Sequence, residues 1–169
     1  MRTRITSPLG LTLTDDVTGF APGAVVEGFK KDDDGELQSV TGLVDPSVGW
    51  GVGALATTAR ELAIFAEALL RGSLFAHTST VDAMCARFHP LDPTMLDGNP
   101  EGTSIALALQ RFEVQGTVLV GHRGTALGYD AAAFFDPETG AVTAVTTNTH
   151  EAGAAALTAY EIAVHLRNA

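Results

Sequence analysis

The stretch Val118-Leu-Val-Gly-His-Arg-Gly-Thr-Ala-Leu-Gly-Tyr-Asp-Ala-Ala-Ala-Phe-Phe-Asp-Pro-Glu-Thr-Gly-Ala-Val-Thr-Ala-Val-Thr-Thr-Asn148 decides the fold. Short runs of β-branched, aromatic and small apolar residues are separated by turn residues, which predicts three strands joined by two sharp turns. Gly121-His122-Arg123-Gly124 is read as one strand-to-strand junction. Asp136-Pro-Glu-Thr-Gly140 is read as a hairpin turn between Tyr129 to Phe135 and Ala141 to Thr147. The result is an antiparallel meander, and the Gly-His-Arg-Gly junction is its best candidate site.

Outward from this core, Ser104 to Val114 alternates Ile105, Leu107 and Leu109 and then shifts phase to Phe112 and Val114, as a bulged strand does. Gln115-Gly116 turns it into Thr117 to Gly121. After the meander, Ala152 to Leu166 reads as an alanine-rich helix with Leu157, Tyr160, Ile162 and Val164 toward the sheet. The clearest helix opens on the capping box Thr58-Ala-Arg-Glu61, carries the stripe Leu62, Phe65, Ala66, Leu69 and Leu70, and stops at Gly72. Trp50 is expected to pack near its start.

A second short helix is predicted from Thr80 to Phe88, followed by a loop, His89 to Gly102, long enough to form a wall or lid. Near the amino terminus, Arg2 to Thr6 reads as the last turn of a helix ended by Ser7-Pro-Leu-Gly10. Ala24 to Phe29 and Glu36 to Thr41 read as a hairpin around the charged tip Lys30 to Gly35, which lacks the ligand spacing of a calcium loop. These elements define a single domain over residues 1–169, of α/β (α+β) class, with an antiparallel sheet flanked by helices.

Composition narrows the function. An apolar fraction of 46% with 18% charged residues fits a folded globular chain and excludes a disordered one. Twenty acidic against ten basic residues give a net charge of -10, which repels phosphate backbones and argues against a nucleic-acid partner. No apolar run approaches the roughly 20 residues of a membrane span, and no signal peptide is read in the first residues. Cys85 is alone, so it forms no intramolecular disulfide and is expected to be a buried structural thiol. The histidines 77, 89, 150 and 165 have no metal-ligand spacing, and neither metal nor cofactor is implied. Asp45-Pro-Ser-Val-Gly-Trp-Gly-Val-Gly53 lacks a phosphate-loop ending, so its glycines predict close backbone packing, and Ser47 has neither a nucleophile elbow nor a paired base.

Three segments in order, Ser7-Pro-Leu-Gly10, Gly53-Ala-Leu-Ala-Thr-Thr-Ala-Arg-Glu-Leu-Ala-Ile-Phe65 and Gly121-His-Arg-Gly-Thr-Ala-Leu-Gly-Tyr129 with the Asp136 turn and Thr147-Asn148, resemble class C-type serine β-lactamases. D-alanyl-D-alanine carboxypeptidases and related esterases belong to the same family. The resemblance implies a β-lactamase/transpeptidase-like fold whose amino-terminal portion is missing. It also implies hydrolysis of β-lactam, D-Ala-D-Ala peptide or ester substrates through an acyl-enzyme.

That chemistry needs a Ser-x-x-Lys turn and a Tyr-x-Asn or Ser-x-Asn element. The only lysines are Lys30 and Lys31, preceded three residues earlier by Glu27 and Gly28, and the tyrosines begin Tyr129-Asp-Ala and Tyr160-Glu-Ile. The expectation is therefore an amino-terminally incomplete family member, inactive alone, able to associate with a chain carrying the missing part. The rival expectation is a non-catalytic peptide-binding or assembly module of the same fold. Location, extracytoplasmic or cytoplasmic, is left open.

By the resemblance, His122-Arg123-Gly124 occupies the Lys-Thr-Gly or His-Thr-Gly motif. His122 would supply a positive or hydrogen-bonding group, Gly124 would let substrate lie against the strand, and the Thr125 backbone N–H would be one oxyanion-hole donor. His122 and Thr125 are thus the candidate catalytic residues, and Arg123 and Gly124 the candidate substrate-binding ones. Arg123 replaces the usual hydroxyl residue, and either pairs with a substrate carboxylate or points to solvent. Without the resemblance, His122 would read as a turn residue; Tyr129 could line the cleft but, as an aromatic opening a strand, reads as core, and Asp136 and Asn148 read as turn and strand-end residues and not as catalysts.

Overall fold

Small and β-branched residues at period two, punctuated by glycine turns, build a meander of six antiparallel strands that is packed by helices on both faces. The computed structural model describes the chain apart from residues 22, 44, 46–47, 50–52, 93–101, 115, 152 and 169. In chain order the principal elements are a π-helical turn at Arg2–Thr6 running into α1 (Ser7–Leu9), β1 (Asp15–Asp16), β2 (Phe29–Lys31), β3 (Leu37–Ser39), β4 (Leu55–Ala56), α2 (Ala59–Leu70), α3 (Ser79–Cys85), β5 (His89–Pro90), β6 (Ser104–Ile105), β7 (Gln110–Val114), β8 (Thr117–Ala126), β9 (Tyr129–Phe135), β10 (Val142–Thr147) and α4 (Ala154–Asn168). The main sheet runs β10-β9-β8-β7-β6-β5, while β1 pairs with β4 and β2 with β3. Trp50, Ser47 and most of the proposed wall or lid fall outside the described residues.

The three central strands form as expected, but the sharp turn after β8 lies at Leu127-Gly128, with Gly128 at φ 86°. Gly121 to Gly124 lie inside β8. Segment 104–114 is a hairpin, not a bulged strand. Ser104 pairs with Arg111 and Ile105 with Gln110, and Ala108 takes a left-handed φ of 58° to close the turn. The early hairpin also forms, shorter than expected and with Lys30 and Lys31 inside β2. The amino-terminal helix continues through Pro8 to Leu9 and is ended by left-handed Gly10.

One face of the sheet is closed by α4. Its buried residues are Ala155, Ala156, Ala159 and Ala163, which lie against Phe112, Leu119, Ala132 and Phe134. The expectation for the larger side chains is corrected here, because Leu157 and Ile162 are exposed while Tyr160 packs only partly against the core. Large side chains already fill the sheet side, so a close helix approach requires alanine on the helix side. Phe112 and Phe134 meet edge to face at 4.6 Å.

The opposite face carries α2. Its cap is half of the predicted box: Thr58 Oγ1 accepts from the Glu61 N–H at 3.2 Å, but the Glu61 carboxylate turns to the amino-terminal segment. It accepts from the Thr12 N–H at 2.8 Å, the Leu13 N–H at 3.0 Å and the Thr14 hydroxyl at 2.6 Å. Burial alone would raise the Glu61 pKa, yet these hydrogen bonds outweigh it and the net shift is downward.

The β9–β10 turn is held from both helices. Arg71 donates to the Gly140 carbonyl at 2.9 Å, and Arg167 donates to Asp136 at 2.7 and 3.1 Å. Asp136 is held below the usual carboxylate range because the Arg167 and turn N–H hydrogen bonds overcome the opposing effect of burial. Both carboxylates therefore contribute stability that is complete above pH about 5 and is lost as pH falls through their lowered folded values. Urea unfolding should show Glu61→Ala losing about 2 to 3 kcal/mol at pH 7. The double variant Glu61→Gln/Asp136→Asn should show a flatter loss of midpoint from pH 6 to pH 2.5 than the parent, and parallel curves would refute this assignment.

Candidate active site

The strand β8 sorts its side chains by alternation. Leu119 joins the α4 cluster, so Thr117, Leu119, Gly121, Arg123 and Thr125 share the α4 face, and Val120, His122 and Gly124 share the α2 face. Cross-strand partners follow suit: His122 stands opposite Ala133 and Gly124 opposite Ala131, whereas Thr125 stands opposite Asp130. His122 and Arg123, adjacent in the motif, thus project to opposite sides. Arg123 is only 7% exposed, which corrects the solvent-pointing alternative, and its N–H donates to the side-chain oxygen of buried Gln110 at 3.1 Å.

The last residue of β8 that β7 pairs with is Gly121, opposite Gln110. Beyond it, among the described residues, β8 has a strand neighbour on one side only. The Arg123 N–H points toward the β7 side, and backbone groups two residues apart point the same way, so the Thr125 N–H faces the open edge. A strand edge with an outward N–H can receive an extended ligand or the oxygen of a polarised carbonyl.

Beside this edge lies an apolar cavity of about 430 Å³ between α2 and the sheet. Leu62, Phe65 and Leu69 form its helix wall, and Ala131, Ala133 and His122 part of its sheet wall. The His122 side chain is open to solvent on one side, yet the protein around its ring desolvates it. That desolvation, with the nearby Arg123 charge, lowers its pKa against an opposing backbone hydrogen-bond contribution. His122 is therefore suited to act neutral, as a hydrogen-bonding group or proton acceptor.

The two motif glycines differ physically. A Cβ on Gly121 would run into the Ala133 carbonyl oxygen and lie 2.8 Å from Phe134 Cα, so Gly121 is required by packing. A Cβ on Gly124 would meet nothing within 4 Å. Among the described residues nothing fills the space in front of Gly124.

Residues that the sequence reading did not weigh for the site, Asp130 above all, or weighed and set aside, as Tyr129 and Asn148, complete its surroundings. Asp130, 1% exposed, accepts from the Thr125 hydroxyl and from the Ala155 N–H, both at 2.9 Å. His150 Nδ1 lies 2.9 Å from the Ala126 carbonyl. The segment leading into β2 holds the start of β9 and the end of β10: Tyr129 donates its hydroxyl to the Val26 carbonyl at 2.8 Å, and Asn148 Nδ2, just after β10, donates to the Glu27 carbonyl at 2.9 Å. The signal for Asp130 was a carboxylate in an otherwise apolar strand, which is uncommon without a partner. Cys85 is half-buried, and burial and the Asp82 charge push its thiol up, away from thiolate chemistry. Among the described residues no group of three or more His, Cys, Asp or Glu side chains could hold a metal ion, and no helix is long and apolar enough to cross a membrane.

The antiparallel sheet between helices matches a β-lactamase/transpeptidase-like fold. The Beta-lactamase family model matches residues 1–167, and the chain belongs to that family. Among solved structures, a D-stereospecific amidohydrolase from Streptomyces sp. superposes with a TM-score of 0.76 at 22% identity, over 95% of this chain and 46% of its own. The D-amino acid amidase from Ochrobactrum anthropi SV3, complexed with D-phenylalanine, gives 0.74 at 22% identity over 88% and 44%. An octameric penicillin-binding protein homologue from Pyrococcus abyssi gives 0.72 at 20% identity over 98% and 36%. The chain spans less than half the length of each. No curated protein matches it by sequence.

Two measurements test the site geometry. NMR titration of the His122 ring should give a midpoint below the ordinary value of about 6.5, and a midpoint at or above it would contradict the desolvated placement. Gly121→Ala should cost more than about 2 kcal/mol in urea unfolding because β8 and β9 must separate. Gly124→Ala should stay within about 0.5 kcal/mol of the parent.

Proposed function

We propose that the chain forms the substrate-side wall of a serine hydrolase of the β-lactamase type, with the nucleophile supplied from outside these 169 residues. The observation that carries this reading is the open edge of β8, where the Thr125 N–H and the empty space at Gly124 adjoin the apolar cavity. In the assembled enzyme a serine hydroxyl would attack an amide, β-lactam or ester carbonyl. The Thr125 N–H would receive one share of the developing negative charge, and neutral His122 would bond to substrate or move a proton. The apolar cavity would accept an apolar side chain. A D-amino acid derivative is a reasonable first substrate class, because two of the structural relatives are named for acting on D-configured amides.

The chain itself offers no Ser-x-x-Lys and no Tyr-x-Asn, so it should turn over nothing by itself. A second reading, a binding or assembly module without catalysis, is favoured by one observation. Among the described residues β10 has a strand neighbour on one side only, which leaves an edge able to pair with another polypeptide. The two readings part on complementation. The purified chain should leave a chromogenic cephalosporin, a p-nitrophenyl ester and D-phenylalanine amide unhydrolysed. Adding a polypeptide that carries Ser-x-x-Lys and Tyr-x-Asn should restore hydrolysis. Rapid hydrolysis by the chain alone, insensitive to a serine-directed fluorophosphonate, would overturn the proposal, and binding of that polypeptide without hydrolysis would favour the assembly module.

A further inference from the structure

We propose that Asp130 is a positioning residue that sets the aim of the Thr125 N–H by tying the free end of β8 to the amino terminus of α4. The proposal rests on reading the β8 edge as the substrate wall. Beyond Gly121, β8 has no β7 partner, and it ends two residues before the Leu127-Gly128 turn closes into β9. Among the described residues, backbone pairing therefore fixes Gly124 to Ala126 from one side alone. A strand end held that way can twist about its own axis, and a twist redirects the outward N–H on which carbonyl polarisation depends.

Asp130 supplies the missing restraint from the α4 face. Its carboxylate is 1% exposed, and its two oxygens are divided between two donors: Oδ1 accepts from the Thr125 hydroxyl and Oδ2 from the Ala155 N–H. The Ala155 N–H belongs to the first turn of the 15-residue α4, where unpaired N–H groups and the helix dipole favour an anion. The carboxylate thus acts as a helix cap delivered from a neighbouring strand. Because α4 is seated by its alanines in the core, the cap is rigid. Arg123 lies on the same face of β8, two residues before Thr125 and diagonal to Asp130 in the register. A merely structural buried carboxylate would need only the helix end. The bond to Thr125 extends the restraint to the residue whose amide faces the open edge.

The tether is tested on the whole chain by ¹⁵N relaxation and ligand titration, with the Thr125 hydroxyl removed and Asp130 retained. In the parent, the amides of residues 124 to 126 should have order parameters of about 0.85, and in Thr125→Val they should fall toward about 0.6 while α4 stays rigid. Thr125→Ser, which restores the hydroxyl, should return them to the parent value. Asp130→Asn should loosen the same residues, and Thr125→Val serves if that variant fails to fold. D-phenylalanine amide should shift the Thr125 amide resonance of the parent, and Thr125→Val should bind it about tenfold more weakly, as expected for a misdirected hydrogen bond. Unchanged order parameters in Thr125→Val, or no rescue by Thr125→Ser, overturn the tether even where ligand shifts are seen. Absence of any ligand shift in the parent overturns the substrate-wall reading, and with it the purpose assigned to the tether, even where the order parameters respond.

Discussion

The structure depends on the seating of Phe134 beneath the alanine face of α4. Phe134 is 1% exposed, opposite a glycine on β8 and edge to face with Phe112 on the next strand but one. Ala155 and Ala159 above it are fully buried. The contact works because the bulk is all on one side: large side chains rise from the sheet, and the helix brings none to meet them. Gly121 is the second half of the same constraint, since the β8 backbone must clear the Phe134 main chain. With that packing fixed, the register of β8 against β9 is fixed, and so is the face on which each motif residue emerges.

Register sends adjacent residues of a short motif to opposite faces of the sheet. Odd-numbered residues of β8 from Thr117 to Arg123 are spent on the core, and even-numbered ones look toward α2. A slip of one residue would bury His122 and expose Arg123. The clamps around the hairpins resist such a slip at both ends of the sheet. Arg71 and Arg167 hold the β9–β10 turn, while Asp130 and Tyr129 hold the β8–β9 tip. Polar groups here do the locating, and the apolar seat supplies the stability.

The meander, the α2 cap and the terminal helix were legible because each rests on local chemistry: turn residues, an N-cap threonine, apolar runs. What was not legible depended on distant partners. The second half of the capping box failed since Glu61 found the Thr12 to Thr14 segment, some 47 residues away in sequence, a better set of donors. The inward face of α4 was misassigned because hydrophobicity favours Leu157 and Ile162, whereas the space left by Phe112 and Phe134 admits only alanine. The 104–114 segment looked like one strand because alternation says nothing about reversal, and no glycine marks the turn at Ala108. For the candidate site, the sequence singled out Gly121 to Thr125 but could not rank its two glycines or see Asp130, whose partners are set by register.

Why a cavity persists beside the site follows from the composition of the two faces of β9. On the α4 face its side chains include Phe134, and the space is closed. On the α2 face it offers Ala131 and Ala133, with Gly124 beside them on β8, so the wall stands back from Leu62, Phe65 and Leu69. The volume of about 430 Å³ falls within the usual range for small-ligand sites. Filling it would have required only larger residues at two alanine positions, which the strand already tolerates at Phe135 on that same face. The result is an apolar hollow maintained by small residues, lying beside the β8 edge and beside a glycine that no described residue crowds. The same alternation that packs the core on one side of the strand keeps the other side vacant.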